Sequence, residues 1–199
     1  MPILPRSANS REPNSLMIVL AVEGSDTEGQ YFKPLGDGKI DIEILSTPKK
    51  GEFNGHCSPE HVEKRMDAFL VQTEGLVGGE FWLVMDVDDW PKQKLSKVCQ
   101  RALSKGYQIA VSNPCFELWL WLHQNEPDET LDKCGKLEKA LKKFPGGYNK
   151  SRLRVERFHP HIQNAIARSK ALSGNDSHPV PGFPGTHVGR LVERILSQA

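Results

Sequence analysis

The stretch EFWLVMDVDDWP, residues 80–91, runs an apolar segment directly into three aspartates, and its reading decides the fold. EFWLVMDV has the length and the aromatic and β-branched content of a buried strand. PKQKLSKVCQRALSKG, 91–106, follows as a helix with Pro91 near its first turn and Gly106 past its end, and YQIAVS, 107–112, is a further strand. Upstream, HVEKRMDAFLVQT at 61–73 predicts a helix capped by Ser58, and IDIEILS at 40–46 alternates as a strand. LMIVLAV, 16–22, is another buried strand, and EGSDTEGQYFKPLG, 23–36, a turn and short helix with Ser25 or Asp26 as its cap. The order βαβαβαβ predicts an α/β fold: a mainly parallel, four-stranded, Rossmann-like sheet flanked by helices.

Beyond Pro114 the pattern becomes helical. CFELWLWLH, 115–123, is too densely apolar for an exposed helix and predicts a buried one, with Trp119 and Trp121 as core. Further helices are expected over 131–144, with Cys134, Leu137, Leu141 and Phe144 inward, over 155–172 with an interruption at Pro160, and over 186–196. SGNDSHPVPGFPG, 173–185, reads as loop, and no further strand is expected. Residues 1–14 carry three prolines without apolar period and predict a disordered N-terminal arm, leaving 15–199 as a single domain.

Composition narrows the function classes. With 26 Lys plus Arg against 25 Asp plus Glu the net charge is +1, so any polyanion must be held by a local patch. The four cysteines are far apart and form no CxxC pair, which suits reduced thiols in a cytoplasm. No apolar run reaches the roughly 20 residues needed to cross a bilayer. No Walker A sequence, GxGxxG fingerprint or Ser-His-Asp order occurs, which argues against a self-contained ATPase or nicotinamide enzyme.

In an open parallel sheet, ligands bind outside the carboxyl ends of the strands. Glu23 closes the first strand, and Asp86 and Asp88, two apart on an extended chain, point the same way from the third. If those strands are neighbours, three carboxylates converge, and such a cluster persists most readily around a cation, Mg2+ or Mn2+ for an all-oxygen set. The competing reading makes them loop residues, with Asp89 or Asp88 capping the next helix.

VEGSDTEGQYF, VMDVDDWP and NPCFELWLWLH, in that order, resemble the hallmark segments of RloB-like proteins, Toprim-related proteins of bacterial defence loci. GYNK at 147–150 resembles that family's Y-x-K segment, and PGTHVGRLVERI at 184–195 its C-terminal Pro-small-Thr-x-Val segment, so the resemblance spans 16–196. It implies a Toprim-like fold, with Glu23 as the Toprim glutamate and Asp86 and Asp88 as the metal-binding pair. It also implies a role in anti-phage defence or abortive infection, beside a separately encoded ATPase.

Other residues join this set by position. Asn113 and Glu117, four apart, are expected on one helix face bordering the crevice, Glu117 as a metal ligand, as an orienter of water, or as an N-terminal helix carboxylate. Glu28 is a partner for Glu23 or a surface residue. Tyr148 and Lys150, with Arg152 and Arg154 close behind, form the most basic short stretch and hold phosphate or form a solvated basic turn. His56, Cys57 and His61 lack a second ligand pair and do not predict zinc. The reading that follows is a divalent-metal-dependent nuclease of DNA or RNA, tRNA included, with Glu23, Asp86, Asp88 and Lys150 catalytic. A non-catalytic or signal-binding regulatory subunit of an ATPase complex is the rival, and a vestigial scaffold the third. A homo-oligomer is conceivable through the apolar helix at 115–122.

Overall fold

The computed structural model describes residues 15–47, 58–74, 76–88, 90–174 and 178–198. Strand β1 (Leu16–Val22) leads through α1 (Thr27–Phe32) and a 3-10 turn, Lys33–Leu35, to β2 (Ile40–Leu45). Helix α2 (Pro59–Gln72) precedes β3 (Glu80–Asp86), and α3 (Lys92–Ser104) precedes β4 (Gln108–Asn113). Helices α4 (Phe116–Leu122), α5 (Cys134–Lys142) and α6 (Ile162–Ser173) follow, then β5 (Gly185–Thr186) and α7 (Val188–Leu196). The expected α/β class, parallel sheet and helical C-terminal half are all present.

The sheet order is β2-β1-β3-β4-β5. The first four strands are parallel, with Val22 opposite Val84 and Asp86 opposite Ser112. From β1 the chain moves to one side and from β3 to the other, so the carboxyl ends of these two neighbours form the switch point where α/β sheets place their ligands.

Alternation along the strands splits the core in two. Ile18, Leu20, Val22, Trp82 and Val84 face α1, α4, α6 and α7, whereas Met17, Val19, Ala21, Leu83 and Met85 face α2 and α3. Leu20 and Leu83, fully buried on opposite faces, contribute roughly 1.5–3 kcal/mol apiece. The parity that sends Trp82 and Val84 to the first face also sends Asp86 there. Trp119 is fully buried, and Trp121 packs on the same cluster. Phe116, Leu118, Leu120 and Leu122 are covered by the chain itself, so α4 needs no partner to cover it.

Several expectations need correction. The sheet has five strands, not four: Gly185–Thr186 pairs antiparallel with Asn113 and Ser112, and the Ser112 and Thr186 hydroxyls lie 2.8 Å apart. Two residues carry no period, so this strand exists only through its tertiary partner. The expected cap positions are occupied, but without the capping bonds. Asp26 and Ser58 occupy cap positions without side-chain capping bonds, the Ser58 hydroxyl lying 2.8 Å from His61 Nδ1. Pro91 holds the cap position of α3. The expected interruption at Pro160 is present: the 155–172 segment forms 3-10 turns at Val155–Arg157 and His159–His161 before α6 begins, since Pro160 has no N–H to continue a ladder. The arm at 1–14, His56, Cys57 and Asp89 lie outside the described residues. No helix among the described residues is long and apolar enough to cross a membrane.

Candidate metal centre

Glu23 is the first residue beyond β1, and its N–H continues the ladder to Val84 O at 3.1 Å. Its carboxylate turns across the sheet end, where the Asp86 N–H donates to Oε2 at 3.0 Å and Trp90 Nε1 to Oε1 at 3.1 Å. The two strands are therefore tied side chain to backbone at their carboxyl ends. Burial pushes Glu23 up from 4.5 to about 7; the two hydrogen bonds oppose the rise, and Glu28 and Asp88 add to it.

Glu28, buried on α1, accepts the Gly24 N–H at 3.0 Å. That fold-back requires Gly24, because a Cβ there would sit 2.3 Å from Glu28 Oε2. Burial raises the Glu28 pKa, and Asp86 is raised well above the ordinary aspartate range by burial and then by Glu23, Glu28 and Glu117. Among the described residues these carboxylates form no ion pair, and Lys150 opposes the rise only at Glu28.

Asp88 does not extend the strand. Its φ of 36° turns the chain in the left-handed region, which aspartate tolerates better than most residues. The expected alternation of Asp86 and Asp88 on an extended chain is corrected accordingly, though both line one open cavity of about 400 Å³ with Glu23, Glu28, Glu117 and Lys150. Cys134 Sγ, at the start of α5, lies 3.5 Å from Asp88 Oδ1.

Glu117, buried in the first turn of α4, accepts the Tyr148 hydroxyl at 2.9 Å and pairs with Lys150 Nζ at 3.0 Å. Lys150 also reaches Glu138 at 2.8 Å. Burial would lower the Lys150 pKa, but Glu117 and Glu138 hold it above the ordinary lysine value. Burial and then Glu117 keep the Tyr148 phenol protonated. Asn113 does not join the crevice: its side chain takes the opposite face and donates to Pro181 O at 3.1 Å. It is the last residue of β4, and Pro114 and the extended Cys115 separate it from α4, so the shared helix face expected for Asn113 and Glu117 does not exist. Arg152 lines a neighbouring cavity, not this one.

Among the described residues, Asp86, Cys115 and Glu117 are the group whose ligand atoms all lie within 4.8 Å of one another. Glu23 and Asp88 border it. The Cys115 thiol is pushed up by its contact with Cys134, by burial and by Asp86 and Glu117, so it stays protonated beside the carboxylates. The cluster could hold a metal ion, and a thiol that joined the ligands would give up its proton to the ion. Sequence reasoning missed Cys115 and Trp90. Both stand inside the quoted motifs, in NPCFELW and VMDVDDWP, and Trp90 had signalled itself only as an aromatic beside an acidic run.

A parallel α/β sheet with buried, mutually repelling carboxylates at its switch point defines a candidate cation-binding protein. The chain belongs to the RloB-like family, whose model matches residues 18–195. Comparison with curated proteins and with solved structures finds no match.

Proposed function

We propose that the crevice is the active site of a divalent-metal-dependent nuclease, hydrolysing phosphodiester bonds of DNA or RNA, tRNA included, in bacterial anti-phage defence under a separately encoded ATPase. The observation that carries the reading is the convergence of Glu23, Glu28, Asp86, Asp88 and Glu117 on one cavity with Lys150 the cation among its lining residues. Raised carboxylate pKa values in such a place are a mark of function, because a purely structural site would pair these groups.

Asp86, Glu117 and Asp88 would hold Mg2+ or Mn2+. A bound ion supplies neutralisation of phosphate charge and a more acidic water. Glu23, with a pKa of about 7, is suited to exchange a proton near neutral pH, taking one from the attacking water or giving one to the leaving oxygen. Trp90 and the Asp86 N–H fix which way its carboxylate faces. Tyr148 and Lys150 orient Glu117, and the Lys150 ammonium stands where it can meet a phosphate oxygen.

The test is to incubate the purified chain with Mn2+ and single- or double-stranded DNA, RNA or tRNA, alone and with the ATPase. The expected result is cleavage that an Asp86→Ala, Asp88→Ala double variant abolishes. Cleavage undiminished in that variant overturns the assignment, and activity confined to the mixture identifies a partner-gated form.

A further inference from the structure

Next to the carboxylate crevice, the segment after α5 walls a second cavity of about 200 Å³ whose lining includes Arg152, Arg154 and Arg157 and no acidic residue. Its backbone is built for close approach: Gly146 and Gly147 both have positive φ, 84° and 69°. A Cβ on Gly146 would lie 3.1 Å from Arg157 Nη1 and 3.2 Å from Arg154 Nη1, so two guanidinium groups close on the same backbone point. Arg157 Nη1 donates to Gly147 O at 2.7 Å. Among the described residues, the Arg152 and Arg154 side chains make no hydrogen bond or ion pair.

Converging guanidiniums without a carboxylate repel one another unless an anion sits between them, and their planar forks match phosphate oxygens. Leu153 and Phe158 add an apolar floor. The pocket is fixed relative to the crevice. Gln30, on α1, donates through Nε2 to Lys150 O at 3.0 Å and accepts the Leu153 N–H at 2.8 Å, and Thr27 Oγ1 donates to Lys150 O at 3.3 Å. Ser151 lines the acidic cavity, while Arg152, the next residue, lines the basic one. A polyanion repelled by the six carboxylates that line the crevice needs such a hold beside them.

We infer that the Arg152, Arg154 and Arg157 pocket grips a backbone phosphate of the polynucleotide whose neighbouring linkage enters the carboxylate crevice. The identity of the strand rests on the nuclease reading; the anion pocket does not.

The experiment is fluorescence anisotropy with labelled single-stranded 20-nucleotide RNA and DNA, in EDTA so that nothing is cut, across a series of KCl concentrations. Arg152→Gln and Arg154→Gln are each expected to weaken binding about tenfold and to reduce the slope of log affinity against log salt by about 0.7. Arg157 is left intact because it also holds Gly147. Calorimetric Mn2+ titrations and thermal melts of both variants should match wild type. Wild-type affinity and slope in the double variant would overturn the inference. Displacement of the strand by inorganic phosphate at the wild-type pocket supports it, whereas a wild-type protein that binds phosphate but neither RNA nor DNA overturns the polynucleotide assignment. Should the arginine effects appear while wild type cuts nothing in Mn2+, alone or with the ATPase, the nuclease reading fails and the pocket stands.

Discussion

Both faces of the sheet carry a group of carboxylates, and the protein treats them oppositely. On the α2–α3 face, Glu63 accepts Arg101 Nη2 at 2.6 Å and Lys105 Nζ at 2.9 Å, while Asp67 accepts Lys105 at 2.7 Å and the Tyr107 hydroxyl at 2.7 Å. Burial works against the charged Glu63, but Arg101 and Lys105 outweigh it and hold its pKa below the ordinary value. On the α1–α4 face, Glu23, Glu28 and Asp86 form no ion pair among the described residues and all shift upward, with Lys150 opposing the rise only at Glu28. Opposite pairing separates a group kept for the fold from one kept for a ligand. The difference teaches that the informative quantity is the missing counter-charge, not the count of acidic residues.

The sharpest way to break this contrast is Asp86→Asn. Metal-dependent cleavage should fall by about 10³ or more, on the order of 4 kcal/mol of transition-state stabilisation. The metal-free variant should nevertheless melt with wild type or slightly above it, gaining up to about 1 kcal/mol from relieved repulsion. Mn2+ should raise the wild-type melting temperature and leave that of the variant unchanged. A variant that melts far below the metal-free wild type would make Asp86 a structural residue and erase the distinction.

A histidine silenced chiefly by burial supplies the second prediction. His123 is fully buried on the α4 face, its Nε2 2.9 Å from the Tyr31 hydroxyl and its Nδ1 2.9 Å from Trp119 O. Burial first, then His159 and His161, push its pKa from 6.5 to about 3. Between those values the unfolded chain takes up the proton and the folded one does not, so stability falls as pH drops from about 6.5 toward 3. The loss should approach about 1.4 kcal/mol per pH unit, roughly 2 kcal/mol by pH 5. The raised crevice carboxylates act in the other direction, so the measurement is the difference between wild type and His123→Asn in urea unfolding across pH. A difference that does not change with pH would show that His123 is not held neutral.

Much of this arrangement was legible in the residues. EFWLVMDV and LMIVLAV have the continuous apolar character of strands buried on both faces, and the helices between them dictated parallel pairing. The adjacency of β1 and β3 then brought Glu23 to Asp86, as strand-end logic required. What stayed hidden depends on contacts distant in sequence. β5 is two residues long and defined only by Ser112 and Asn113. Asn113 was misplaced because the turn at Pro114 and Cys115 breaks the helical spacing assumed to reach Glu117. Asp88 looked like an alternating strand residue until its positive φ turned it. Lys150 and Tyr148 could be assigned to the basic segment from sequence, but not to Glu117, 33 and 31 positions away. Arg154 was legible as part of the basic stretch, but Arg157 carried no signal beyond charge, since the convergence of the two depends on the glycine turn at 146–147.

The smallest expected effect completes the comparison from the other face. Glu63→Gln makes the same carboxylate-to-amide change as Asp86→Asn, at a residue only 4 % exposed. Here the charge is matched, so its removal leaves Arg101 and Lys105 without their acceptor and sets an amide N–H against a cation. Both cations are partly solvated, with side chains 49 % and 38 % exposed, and water can replace much of what they lose. The expected cost is therefore only about 1 kcal/mol, or a melting temperature lower by about 2–4 °C for a chain of this size. It should shrink at about 1 M salt, where the Debye length is about 3 Å, while Mn2+ affinity and cleavage stay at wild-type values. Opposite signs for the two substitutions in metal-free thermal melts would place the dividing line at the counter-charge. The same sign for both would mean that burial alone decides, and that the α1–α4 carboxylates need no cation to explain them.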